Sequence, residues 1–97
     1  MAANFRIGLH QNSENLHLRL DGDFDGSSAY ELLNILEEHC RFASRAFIHT
    51  NGLRHIHPFG SSVFRRNLGG LKVCKHLFFE FTGKHAEELA PDQGASH

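Results

Sequence analysis

No apolar run in this chain exceeds three residues; Ala46-Phe47-Ile48 is one of them. A membrane-spanning helix needs about 20, so no direct membrane insertion is expected. Met1-Ala2-Ala3-Asn4 lacks the basic-then-apolar pattern of a secretory leader. Cysteine is scarce: Cys40 and Cys74 lie 34 positions apart, with no C-x-x-C. That argues against a disulfide framework or zinc ribbon and fits a reducing compartment, the cytoplasm. Catalytic signatures are missing too. There is no G-x-G-x-x-G and no G-x-x-x-x-G-K-[ST] to cradle phosphate. There is no nucleophile elbow G-x-S-x-G, since Gly60-Ser61-Ser62 is not one. An enzyme is therefore not expected, and no catalytic residue is assigned. Internal repeats and low-complexity segments are absent as well.

What is present is ordinary for a globular chain. The 97 residues are 40% hydrophobic and 22% charged. They suffice for one core and not two. The expectation is one domain over residues 1–91, followed by a polar, disordered tail over 92–97. The net charge of −1 hides an asymmetry. Residues 1–40 hold two cations (Arg6, Arg19) against seven carboxylates, whereas residues 41–82 hold seven cations against Glu80 alone. Such a split either steers a charged partner or neutralises itself across the fold. It lacks the dense basic face with exposed aromatics that nucleic-acid binding requires.

Strands and helices alternate along the chain. Phe5, Ile7 and Leu9 alternate with polar or small residues, and so do Leu16, Leu18 and Leu20. Period two with one buried face predicts two strands, and the polar stretch Gln11–Asn15 between them predicts a turn and antiparallel pairing. A helix follows, with Ser27 or Ser28 as N-cap and Glu31 completing a capping box from Ser28. At 100° per residue, Ala29, Leu32, Leu33, Leu36 and Cys40 share one face and Tyr30, Glu31, Asn34, Glu37 and Glu38 the other. Arg45–Thr50 reads as a buried strand that Asn51-Gly52 breaks. Pro58 suits a first helical position. The helix it opens runs to about Leu68, before Gly69-Gly70, with Gly60, Val63, Phe64 and Asn67 inward and Phe59, Ser62 and Arg66 outward. Leu77–Phe81 predicts a deeply buried strand because Phe78, Phe79 and Phe81 crowd it, and Lys84–Leu89 a short helix stopped by Pro91. The order β-β-α-β-α-β-α implies an α/β domain with a mixed sheet, right-handed crossovers and helices mostly on one face.

The stretch Leu18-Arg19-Leu20-Asp21-Gly22-Asp23-Phe24-Asp25-Gly26-Ser27-Ser28-Ala29-Tyr30-Glu31-Leu32 resembles the second strand and first helix entry of the STAS domain. That domain is shared by anti-sigma factor antagonists and sulfate transporters. Ala46–Phe64 also fits, with Gly60 at a glycine of the family's second helix. The resemblance covers about Phe5 to Leu89 and implies a trimmed version, without the last strand and helix of longer members. It implies a bacterial, cytoplasmic protein-interaction module in signalling or transcription regulation. Its partner would be a kinase-like anti-sigma factor, a signalling complex or a transport ATPase.

The departure from the family pattern is informative. Phosphorylatable members carry Asp-Ser-Ser-Gly in the regulatory loop, with the second serine as acceptor. Here the tetrad is His57-Pro58-Phe59-Gly60. A phenyl ring accepts no phosphoryl group, so the usual switch is not expected, although Ser61 and Ser62 are nearby hydroxyls that a shifted switch could use. Phe59 at the lip of a helix suits an interface anchor, or else folds onto Ile56 as local packing. The expected partner-binding surface is Asp23, Phe24, Asp25, His57, Phe59, Ser62, Arg65 and Arg66.

Nine histidines invite a metal reading. His55-x-His57, with His49 upstream, lacks a familiar spacing to a further ligand. His10 and His17 are expected on the wet face of the sheet. Histidine near neutrality also allows pH sensing. Asp21-Gly22-Asp23-Phe24-Asp25-Gly26 opens like a calcium loop, but Leu32 stands where its bidentate glutamate belongs and a strand precedes it. No metal and no cofactor are assigned. Two functions compete. One is the interaction module, for which charge steers encounter and an aromatic anchors it. The other is a small-ligand, anion or nucleotide sensor at the N-terminus of the second helix, lined by Arg54, His55 and His57.

Overall fold

A computed structural model describes residues 4–71 and 76–90. The elements are β1 (Arg6–Asn12), β2 (Asn15–Phe24), α1 (Gly26–His39), a 3-10 turn (Cys40–Phe42), β3 (Arg45–Ile56), α2 (Pro58–Leu68), β4 (Phe78–Thr82) and α3 (Ala86–Leu89). The four strands lie in the order β1-β2-β3-β4. β1 pairs antiparallel with β2, while β2–β3 and β3–β4 are parallel. The path steps one way across the sheet, so right-handed crossovers deliver α1 and α2 to the same face. This is the α/β architecture that the alternating pattern implied. The proposed tail over 92–97 lies outside the described residues.

The core forms between that face and the helices. β2 contributes Leu16, Leu18, Leu20 and Phe24, β3 contributes Ala46, Ile48 and Leu53, and α1 contributes Ala29, Leu32, Leu33 and Leu36. Fully burying each such leucine stabilises the fold by roughly 1.5–3 kcal/mol. Phe24 packs edge-on against Phe5 (5.7 Å) and Phe64 (6.1 Å), and Phe64 meets Phe81 in the same manner at 6.1 Å. These T-shaped contacts set a positive ring edge on a negative ring face.

Several local expectations are corrected. Asn51-Gly52 does not end the third strand. Arg19 pairs with His49 and Asp21 with Gly52, so β3 spends three residues where β2 spends two. That is a bulge, and a second follows between Gly22 and Asp23. A Cβ on Gly52 would collide with the Asp21 side chain and the Leu20 carbonyl, so the turn-like residue is needed for close approach. The N-cap of α1 is Asp25, not Ser27 or Ser28. Phe78 is 71% exposed, and Phe79 and Phe81 are half-buried. Among the described residues β4 pairs only with β3, and alternating residues of a strand cannot all face inward. Leu9 is 42% exposed on the opposite edge strand, β1. Asn67 is exposed, with its side-chain amide donating to the Val63 carbonyl (2.8 Å). Cys40 is buried and disulfide-bonded, which removes one support for a reducing compartment. Distance along the sequence is a poor guide to distance in space, since closing a longer loop adds little entropic cost. The other cysteine, Cys74, lies outside the described residues.

Candidate functional site: the lip where two strands exit

β2 and β3 run parallel and end side by side, with Phe24 opposite Ile56. The His57 N–H donates to the Phe24 carbonyl (2.9 Å), which ties the two exit loops together. Carboxyl ends of parallel strands are where open α/β sheets form their crevices. The end of β2 with Asp25 and the entry to α2 therefore share one rim.

Asp25 holds the first loop. Its Oδ1 accepts from the Ser28 backbone N–H (3.0 Å), the Ser27 hydroxyl (2.9 Å) and the Ser28 hydroxyl (3.0 Å). The Ser28 N–H, more than any other group, holds the carboxyl down at about 2 against the opposing effect of burial, and the two hydroxyls each add a smaller lowering. A carboxylate at a helix N-terminus also suits the helix dipole. Asp23 stands behind it, half-buried, with its Oδ1 4.0 Å from Arg54 Nε.

α2 starts without a side-chain cap. His57 precedes the helix, Pro58 opens it, and the Ser61 N–H donates to the His57 carbonyl (3.1 Å). Gly60 faces the first loop. A Cβ there would stand 2.6–2.8 Å from the Asp25 backbone, so only glycine lets α2 cross so close to the start of α1.

Phe59 is 70% exposed. One edge of its ring lies over Gly26, where a Cβ would meet Cε2 at 2.9 Å. Tyr30, 55% exposed, sits one turn further along that face of α1. Each of the two helices thus carries an exposed aromatic in its first turns. Tyr30 was not among the expected site residues, although its outward position on the wheel, four residues past Gly26, was the available signal. Arg65, Arg66 and His57 are exposed on α2 and its entry, and Ser62 is half-buried.

Two expected site residues are placed otherwise. Phe24 is fully buried, because its β-strand parity points it into the aromatic core, and it offers no surface to a partner. Ser61 is buried too, and its hydroxyl donates to the Pro58 carbonyl (3.1 Å), which leaves no free hydroxyl for a kinase. Ser62 is the remaining candidate for a shifted acceptor. His49 does not join His55 and His57. Their β2 partners, Arg19 and Asp23, stand four residues of strand apart, about 13 Å, and the His49 ring meets His17 instead. Beside the rim, Ile56, Pro58, Ser61, Arg65 and Glu88 line an open cleft of about 310 Å³.

No family model matches the chain, and no curated protein matches it in sequence. Solved structures do match in shape. One is the anti-sigma factor antagonist SpoIIAA in its unphosphorylated form, with a TM-score of 0.62 over 94% of this chain and 93% of that one, at 11% identity. This chain has the fold of an anti-sigma factor antagonist. The STAS resemblance read from residues 18–64 therefore holds at the level of fold. Two structures of Mglu also match, with TM-scores of 0.66 and 0.53 at 14% and 11% identity. They cover 76% and 75% of this chain, which spans only 18% and 23% of the Mglu chains. Among the described residues no helix is long and apolar enough to cross a membrane.

Proposed function

We propose that this STAS-type domain is a non-catalytic regulator that docks on a protein partner through residues 57–66, with Phe59 as a constant apolar anchor in place of a phospho-switch. One observation supports the reading: the Phe59 ring stands 70% exposed in the first turn of α2, the position that the resemblance aligns with the family's acceptor serine. An aromatic ring there supplies contact area without a chemical signal. Arg65 and Arg66, exposed about two turns further along α2, favour an acidic partner surface, and Tyr30 is a further exposed aromatic on α1. A kinase-like anti-sigma factor, a signalling complex or a transport ATPase is the partner class the resemblance implies. The sensor alternative is weaker. Arg54 is near Asp23 and the adjacent cleft includes Glu88, a poor wall for an anion.

The test is affinity capture of a candidate partner before and after incubation with ATP and that partner's kinase activity. Capture by the wild type is expected to be unchanged by ATP. Loss of capture together with phosphate on Ser62 would refute the constant-anchor reading.

A further inference from the structure

The helix-free face of the sheet carries a histidine cluster that the docking reading does not use. His17 projects from β2 and His49 from β3, and His17 Nδ1 stands 3.1 Å from His49 Nε2. The two rings are parallel to within 1° with centroids 5.4 Å apart, so they meet edge to edge, nitrogen to nitrogen. On its far side His49 Nδ1 is 2.8 Å from Thr82 Oγ1 of β4. One line of side-chain hydrogen bonds thus crosses from β2 through β3 to β4. Phe47 stacks on His17 with centroids 4.7 Å apart and shields one side of the line. Among the described residues β4 pairs only with β3, so the line ties this edge strand to the middle of the sheet.

We propose that His17, His49 and Thr82 form a pH-sensitive clasp across β2, β3 and β4, closed near neutrality and opened when both imidazoles are protonated. With both rings neutral, one proton lies between Nδ1 and Nε2, so one nitrogen donates and the other accepts. The Thr82 hydroxyl can donate or accept, and so it fits either arrangement. A first added proton goes to an outer nitrogen, and the bridging bond stays in place, now charge-assisted. A second added proton has only the bridging lone pair to occupy. Every ring nitrogen is then a donor. Two cations face each other N–H against N–H across the 3.1 Å gap, and the rings must part. His49 then leaves the line, and with it goes the tie from Thr82 to β2. β4 leads into α3, whose Glu88 lines the cleft beside the docking rim. The clasp therefore acts on the segment that supplies one wall of that cleft.

The charged groups around the pair do not relieve this repulsion. From β1, His10 is the direct cross-strand partner of His17, with ring centroids 6.2 Å apart, and Arg6 stands opposite Asp21. On β2, Arg19 is the partner of His49 and lies 3.7 Å from Asp21. Between β3 and β4, Arg45 lies 4.0 Å from Glu80. Lys84 follows β4, its N–H donating to Asn51 Oδ1 (3.1 Å). Asp21 and Glu80 are thus each beside an arginine, and His10 adds a further cation in acid. Burial first, and then His17, push His49 below the ordinary imidazole value of 6.5. A folded value below the unfolded one means that the contribution is complete above pH 6.5 and disappears as pH falls through the folded value.

The experiment is a proton NMR titration of the histidine rings in the full chain from pH 8 to pH 4.5, with amide hydrogen exchange followed at pH 7.5 and pH 5. The His49 ring is expected to titrate below 6.5. His17→Asn, which sets an uncharged amide at the place of Nδ1, should move that midpoint upward. Protection of the β4 amides relative to those of α1 should fall roughly fivefold between the two pH values, the worth of about one hydrogen bond. His49→Gln keeps an amide nitrogen at the place of Nε2 and takes up no proton, so its ratio should stay constant, with melting temperatures recorded to confirm folding. A wild-type His49 midpoint at or above 6.5, a midpoint unmoved by His17→Asn, or a β4 loss that persists in folded His49→Gln would overturn the proposal.

Discussion

At the scale of single residues, Asp25 joins the fold to the rim. It caps α1 and also positions the loop over which Gly60 crosses. Replacing a capping aspartate with alanine costs about 1 kcal/mol, and Asp25→Ala is expected to show that loss in urea unfolding at pH 7. The folded carboxyl titrates at about 2 instead of 3.8. A lowered folded value means the contribution is fully present above the unfolded value and disappears as pH falls through the folded one. The stability difference between wild type and Asp25→Ala should therefore shrink between pH 4 and pH 2. A difference that stays constant over that window would show that the cap does not work through its charge. The sequence marked this turn by its aspartates and serines but could not rank them, because Asp25, Ser27 and Ser28 are all good capping residues at neighbouring positions.

Secondary-structure elements were largely legible, and the misses have a common cause. Asn51-Gly52 carries turn chemistry, yet parallel pairing with β2 absorbs it as a bulge. Phe78, Phe79 and Phe81 suggested uniform burial, yet β4 lies at an edge and puts Phe78 in solvent. Phe24 was placed on the docking surface because it lies in a loop-like run, Asp23-Phe24-Asp25, but it is the last residue of β2 and points inward. In each instance a residue's neighbours in space overrode its neighbours in sequence. Chemical denaturation makes the contrast measurable. Phe24→Ala is expected to lose about 3–5 kcal/mol, while Phe78→Ser should stay within about 0.5 kcal/mol of wild type. Comparable losses for the two variants would contradict the assigned faces.

Across the whole molecule, the crossover rule and the one-sided periodicity were enough to give the architecture, which SpoIIAA shares over 94% of this chain at 11% identity. The outward position of Phe59 was also readable, from a helical wheel started at Pro58. Tyr30 was outward on its wheel too, but the approach of Phe59 to Gly26 was not readable, because nothing local shows that α1 and α2 meet there. The histidine pair on the opposite face was equally hidden, since 32 positions separate His17 from His49. The charge asymmetry is partly resolved by Arg54 near Asp23, but Arg65 and Arg66 remain exposed on α2, where they can steer a partner. The central claim, that an always-exposed ring anchors the partner, is tested most directly by comparing the partner's dissociation constants for wild type and Phe59→Ala. An interface anchor contributes about 2 kcal/mol or more, so the variant should bind roughly 30-fold more weakly with an unchanged melting temperature. Equal dissociation constants for the two folded proteins would contradict it.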